Sequence, residues 1–292
     1  MTILLAVALD GDSFAARDWI QAVRHADDAR IDLLTFDDDF GRYGPDAVLT
    51  AARVAPLTRH VGLVPVATTT HTEPFHLSTA LATLDHVSHG RAGWQVRVSA
   101  DPAEAALLGR RAPLDRDELF AEAADVVEVV RRLWDSWQDD AIIKDVATGR
   151  FIDRDRLHHV DFAGRYFSVK GPSTVPRPPQ GRPVLAVAEG EAPDAAADVL
   201  FVPAERAEAR AGRKVFADLT VRAGRHRDAM VRILAAAQRG VDGVRLRGDL
   251  LTVIRELVPE LRWRGLFRPS GAGTLRDRLG LPVAVNRYRT AG

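Results

Sequence analysis

Residues 61–98 read VGLVPVATTTHTEPFHLSTALATLDHVSHGRAGWQVRV, and their rhythm decides the fold. The run 61–69 (VGLVPVATT) is apolar without alternation, as a strand buried on both faces of a parallel sheet must be. Residues 74–87 (PFHLSTALATLDHV) follow with helical spacing and Pro74 at the first position, where its missing N–H costs nothing. The run 91–98 (RAGWQVRV) is again strand-like. A strand, a helix and a strand at this spacing form a βαβ unit.

Outward from this stretch the pattern repeats. Toward the N-terminus, 3–9 (ILLAVAL) and 32–37 (DLLTFD) are strands, and 13–29 and 45–58 are helices. The opening MTILLAVALDGDS has too short an apolar run and no basic leader, so it reads as a first strand rather than a signal segment. Toward the C-terminus, 117–134 is an amphipathic helix, followed by a long connection over 135–182. Strands five to eight are expected at 183–188 (PVLAVA), 198–203 (DVLFVP), 214–221 (KVFADLTV) and 241–246 (VDGVRL). Helices are expected at 225–239 and 249–264, and the Gly-, Pro- and Arg-rich tail 265–292 is expected to pack across the outside. Eight strands separated by helices or helix-length links predict one α/β domain over 1–292, a (β/α)8 TIM-type barrel. An open doubly wound sheet is the competing arrangement.

The chain has 40 basic and 40 acidic residues, so no net field draws it to nucleic acid or an anionic membrane. It has no cysteine, which excludes disulfides, thiolate metal sites and cysteine nucleophiles. No run approaches the roughly 20 apolar residues of a membrane span. His71, His76, His86 and His89 miss the i, i+4 spacing of a helical zinc pair, and no metal is expected. Dinucleotide-binding GxGxxG, nucleophile-elbow GxSxG and P-loop patterns are absent.

Active sites of such barrels lie at the C-terminal ends of the strands. That rule selects Asp37–Asp39 after strand two, Thr68–His71 after strand three, Trp94, Gln95, Arg97 and Ser99 on and after strand four, and Glu189–Glu191 after strand five. Each cluster also has a plain structural reading: a helix-capping acid, a β-branched strand end or a solvated loop.

Five stretches together carry a resemblance: HADDARIDLLTFDDDF (25–40), 58–96, VVRRLWDSWQDDA (129–141), YFSVKGPSTVPRPPQGRPVL (166–185) and VPELRWRGLFRPSGAGTLRDRLGLPVAVNRY (258–288). They resemble the luciferase-like flavin monooxygenases, in the branch of nitrilotriacetate, EDTA and dibenzothiophene-sulfone monooxygenases. The resemblance implies a cytoplasmic, homodimeric barrel. It implies that reduced FMN, supplied by a separate flavin reductase, uses oxygen to oxygenate a small organic substrate. Carried over by motif, the cofactor-binding positions are Asp38, Thr69, Trp94, Gln95, Arg116 and Phe120. A deazaflavin-dependent oxidoreductase is a further, remoter expectation.

The chain departs from the branch in four places. Gln95 stands for an asparagine. Arg116 and Phe120 stand for the histidine and tyrosine of an H-x-x-x-Y pair. After strand five the phosphate loop is shorter, and its Glu189 and Glu191 would repel a phosphate by roughly 4 kcal/mol per close pair at an effective dielectric near 20. A large insertion between strands seven and eight is missing. These departures keep open a second expectation, a flavin-free barrel acting as a partner or regulatory subunit.

Overall fold

The computed structural model describes residues 2–289. Eight parallel strands close into a barrel: Leu4–Leu9, Leu33–Phe36, Gly62–Thr68, Gly93–Arg97, Val184–Ala188, Val199–Pro203, Lys214–Val221 and Gly243–Gly248. They are called strands one to eight below. Strand one pairs with strand eight, Leu4 opposite Gly243, which closes the ring and rules out the open sheet.

Side chains of alternate parity divide between two apolar layers. Leu5, Val7, Leu63, Val96, Val187, Leu219 and Leu246 point outward under the helices. Ala6, Leu33, Val64, Val184, Ala186, Phe201 and Phe216 fill the inside. Both sets are almost wholly buried, and each large side chain so removed from water contributes about 1.5–3 kcal/mol.

The helices start where side chains satisfy their free N–H groups. In α2 (Ala47–Val54) Asp46 accepts from Leu49 N at 2.7 Å; in α3 (Pro74–Val87) Glu73 accepts from His76 N at 2.9 Å. In α5 (Arg116–Asp135) Asp115 accepts from Glu118 N at 2.9 Å. Helix α1 spans Ala16–Asp28 and α6 spans His226–Gln238. The last long helix runs as α7 (Leu250–Thr252), a π turn (Val253–Leu257) and α8 (Val258–Trp263). Pro259 has no N–H to donate to the preceding turn, which accounts for the widened turn before it.

The links after strands five and six carry no helix among the described residues, in keeping with the short link expected before strand six; Ala192, Ala197, Ala204 and Ala207 pack on the outer layer. Other features were not expected. A short helix, α4 (Pro102–Leu108), precedes α5 and was not expected. The long connection folds into two hairpins, Ile142–Asp145 with Arg150–Ile152 and Phe162–Ala163 with Ser168–Val169. It is fastened by Trp137, whose Nε1 donates to Ser173 O at 2.8 Å. It is fastened also by buried Asp135, which pairs with Arg177, Arg182 and Arg287.

The tail does not simply cross the outside. Its helix α9 (Leu275–Arg278) plugs the N-terminal end of the barrel, with Leu275 and Leu279 in the inner layer. Gly62 makes room for this plug, since a Cβ there would meet Leu275 Cδ1 at 2.6 Å. Beyond it, Asn286 and Arg287 return to Asp135 on the outside. Met1 and residues 290–292, within the expected first strand segment and tail, lie outside the described residues. Among the described residues no helix is long and apolar enough to cross a membrane.

Candidate active site at the barrel mouth

At the C-terminal ends of the strands the apolar filling gives way to charge. Arg245 of strand eight is fully buried beneath the mouth. Its Nε donates to Asp218 Oδ1 at 3.0 Å and its Nη1 to Gln95 Oε1 at 2.9 Å, while its guanidinium lies 3.8 Å from the centroid of the Phe201 ring. Arg247, two residues on, also donates to Asp218, at 3.0 Å. From Gln95 the chain of contacts continues, Nε2 donating to Glu191 Oε2 at 3.4 Å. Arg97 Nε donates to the same oxygen at 3.1 Å, and its Nη groups to Asp37 Oδ1 and Asp38 O, both at 2.8 Å. One polar network therefore crosses the mouth from strand eight to the loop after strand two.

Charge pairing outweighs burial at Asp218 and Arg97, whereas at fully buried Arg245 burial outweighs the Asp218 pair and lowers the guanidinium. Burial pushes the Asp218 carboxyl up, but Arg245 and Arg247 hold it below the usual carboxylate range. Burial lowers the Arg97 guanidinium, yet Glu191 and Asp37 hold it above its ordinary value. Asp38 goes the other way. Burial raises it, Asp46 and Asp39 add to the rise, and the Ala47 N–H only partly offsets them.

Beside the network lies a groove of about 530 Å³ between α2 and α3. Val48, Val66, Ala67, Leu77 and Ala80 give it apolar walls, and Asp38, Asp39, Arg42, Thr68 and Thr72 give it polar points. That mixture suits a flat, largely apolar ligand with a few polar edges.

The six motif-derived positions separate. Asp38 is at the groove, but its carboxylate accepts from Ala47 N at 2.8 Å and so caps α2. Thr69 is turned away and nearly sealed from solvent, with its hydroxyl donating to Arg97 O at 3.3 Å. Thr68 takes the groove-lining place, and its hydroxyl is 3.4 Å from that of Thr72. Trp94 points outward into the layer under the helices, fully buried, its Nε1 donating to Ala67 O at 3.0 Å. Gln95 sits inside the network already described. Arg116 and Phe120 come together, the guanidinium 4.8 Å from the ring centroid, at the turn after strand five.

At that turn the expected repulsion is changed by neighbours the sequence does not place. Glu189 pairs with Arg206 at 2.8 Å and Arg210 at 3.0 Å, and Glu191 pairs with Arg97. Arg116 Nη2 donates to Gly190 O at 3.0 Å and is otherwise open to solvent. Gly190 takes a left-handed φ of 85°, which favours glycine. Arg97 is shared with Asp37 and Asp39, and Arg210 with Asp194, so Arg116 is the guanidinium at this turn with no carboxylate partner among the described residues. The residues present fit a flavin phosphate beside Arg116.

Sequence reading missed Asp218, Arg245 and Arg247. Their signal is charge on alternate positions within otherwise apolar strands, ADLT and VRLR, near the C-terminal ends.

The sequence matches the luciferase-like monooxygenase family over residues 3–242. The chain belongs to that family. It is 40% identical over 160 residues to N-acetyl-S-(2-succino)cysteine monooxygenase of Bacillus subtilis (strain 168), covering 55% of this chain and 36% of the relative. It is 35% identical over 196 residues to nitrilotriacetate monooxygenase component A of Aminobacter aminovorans, covering 60% and 43%. The matches thus span under half of either relative's length. The EDTA monooxygenase structure from Chelativorans sp. BNC1 superposes with a TM-score of 0.81 at 19% identity, covering 97% of this chain and 99% of that one. The fold is therefore the luciferase-like TIM barrel, in the branch expected from the five stretches.

Proposed function

We propose that this chain is a flavin-dependent monooxygenase of the cytoplasm that acts on a small organic substrate with oxygen. The observation that carries the reading is the turn after strand five. Both of its carboxylates are neutralised by guanidiniums, and Arg116 stands free beside it. Reduced FMN, when bound, supplies the electrons and the oxygen chemistry. Arg116 holds its phosphate with a charge-assisted contact. The groove walls Val66, Ala67 and Leu77 would receive the apolar part of the ring, with the Thr68 and Thr72 hydroxyls as the polar groups beside it. The ion network below fixes the depth of the site, because buried Arg245 and Phe201 leave no passage into the barrel. The same floor excludes water from beneath the ring. A separate reductase supplies the reduced flavin, and two copies associate through the exposed face of α3, where Val87 meets solvent.

Rapid mixing of reduced FMN with oxygenated buffer, with and without the chain, tests this reading through the rate at which oxidised-flavin absorbance returns. A return slowed by the chain, and restored toward the free rate by Arg116→Glu, is expected. A rate equal to that of free reduced FMN would refute it.

A second reading has its own support. The Glu191 bridge to Arg97 and Gln95 closes part of the mouth, and Phe120 offers no hydroxyl to a cofactor. A barrel serving as a flavin-free subunit fits these two facts, and failure to bind either redox form of FMN would favour it.

A further inference from the structure

We propose that the rim above strand seven is an oxyanion subsite, which takes a carboxylate or phosphate group of a small acidic substrate. This rests on the reading of the barrel mouth as the reaction site. A cavity of about 310 Å³ lies there, lined by Thr220, Arg222, Arg225, Asp228, Ala229 and Arg232. Three guanidiniums thus share one cavity with a single carboxylate.

The pairing inside the cavity is loose. Arg225 meets Asp228 at 3.3 Å with both side chains about 70% exposed, and Arg232 reaches out to Glu205 at 2.6 Å. Arg222 has no side-chain partner among the described residues. Exposed pairs of this kind hold weakly, so an incoming oxyanion displaces them at little cost. A planar guanidinium offers two parallel N–H groups, which match both kinds of oxyanion. Arg225, the N-cap of α6, makes no side-chain cap hydrogen bond, so its guanidinium is not committed to the helix end.

The subsite is continuous with the mouth. Strand seven turns Phe216, Asp218 and Thr220 to the same side, and Thr220 pairs in register with Arg247. Arg247 spends its Nε on Asp218. A substrate bound by its anionic end at the rim would therefore extend toward Arg247 and the ion network at the mouth. The buried Arg245–Asp218 pair beneath is not in play. Its exchange would strand a charge away from water, which the exposed rim pairs avoid.

Calorimetric titration of the full chain without flavin tests this, with inorganic phosphate and tricarballylate as probes at low ionic strength. Binding of at least one probe is expected with a dissociation constant on the order of 1 mM. The double variant Arg222→Ala, Arg225→Ala should weaken it by about tenfold or more, and Asp228→Asn should tighten it. Arg17→Ala, on the exposed side of α1, should leave it within about twofold. Phosphate alone would identify phosphate esters, and tricarballylate alone would identify carboxylates; either supports the subsite. No binding of either probe overturns it. So does binding lost with Arg116→Ala and kept in the double variant, which would move the anion to the flavin end. Since no flavin is present, a chain that fails the FMN test can still pass or fail this one.

Discussion

Replacing Arg245 by methionine should unfold the barrel mouth from below. The arginine is 0% exposed, and its removal strips Asp218 of its buried partner while leaving Arg247 at 3.0 Å. Breaking a buried pair from one side costs about 3–5 kcal/mol, and the surviving partner argues for the lower end. The Gln95 carbonyl loses its 2.9 Å donor, and a buried unpaired acceptor costs about 1–3 kcal/mol. The cation–π contact at 3.8 Å adds about 2 kcal/mol where water is excluded. These losses share one side chain and do not add fully, so about 4 kcal/mol is expected. Urea denaturation followed by circular dichroism measures it. The double variant Arg245→Met, Asp218→Leu should recover much of the loss, because no stranded charge remains. A single variant within about 1 kcal/mol of wild type, or a double variant less stable than the single, would refute the network.

Three other outcomes follow from particular contacts. Burial raises Asp85 from 3.8 to about 6, against the N–H groups of Gln180 and Ala92. Its contribution is whole below pH 4 and lost as pH rises through 6, by up to about 3 kcal/mol, and Asp85→Asn should flatten that part of the stability profile. Leu275→Ala should empty the barrel plug and cost about 2–5 kcal/mol in a denaturant titration; a change near zero would place the tail helix elsewhere. Trp94→Phe removes a hydrogen bond behind the strand, so it should lower the melting temperature while leaving flavin affinity within about twofold.

Much of the barrel is legible because strands buried on both faces write continuous apolar runs. KVFADLTV was bounded correctly at Lys214–Val221, and the helix at Pro74–Val87 likewise. The same continuity hides parity. VGLVPVATT has no polar alternation to say whether Thr68 or Thr69 faces the site, and the hydrogen bond of Thr69 N to Arg97 O decides it. Trp94 failed for the same reason: a strand motif fixes a position, not the face it presents. The network from Arg245 to Gln95 joins residues 150 apart in sequence, so no local pattern announces it. The turn at Glu189 and Glu191 shows the converse. Its composition alone implies repulsion, while Arg97 from strand four and Arg206 and Arg210 from the link after strand six pair with both carboxylates. The plug helix was missed because the four residues of Leu275–Arg278 are too few to show a period, and it is Gly62 that makes their seat.

Anaerobic titration of the chain with reduced FMN tests the central claim most directly, repeated with Arg116→Glu and Glu191→Ser. The account predicts micromolar binding by wild type, at least about tenfold weaker binding by Arg116→Glu, and binding by Glu191→Ser that is equal or tighter. Equal affinity for wild type and Arg116→Glu, or no binding by any of the three, would contradict it.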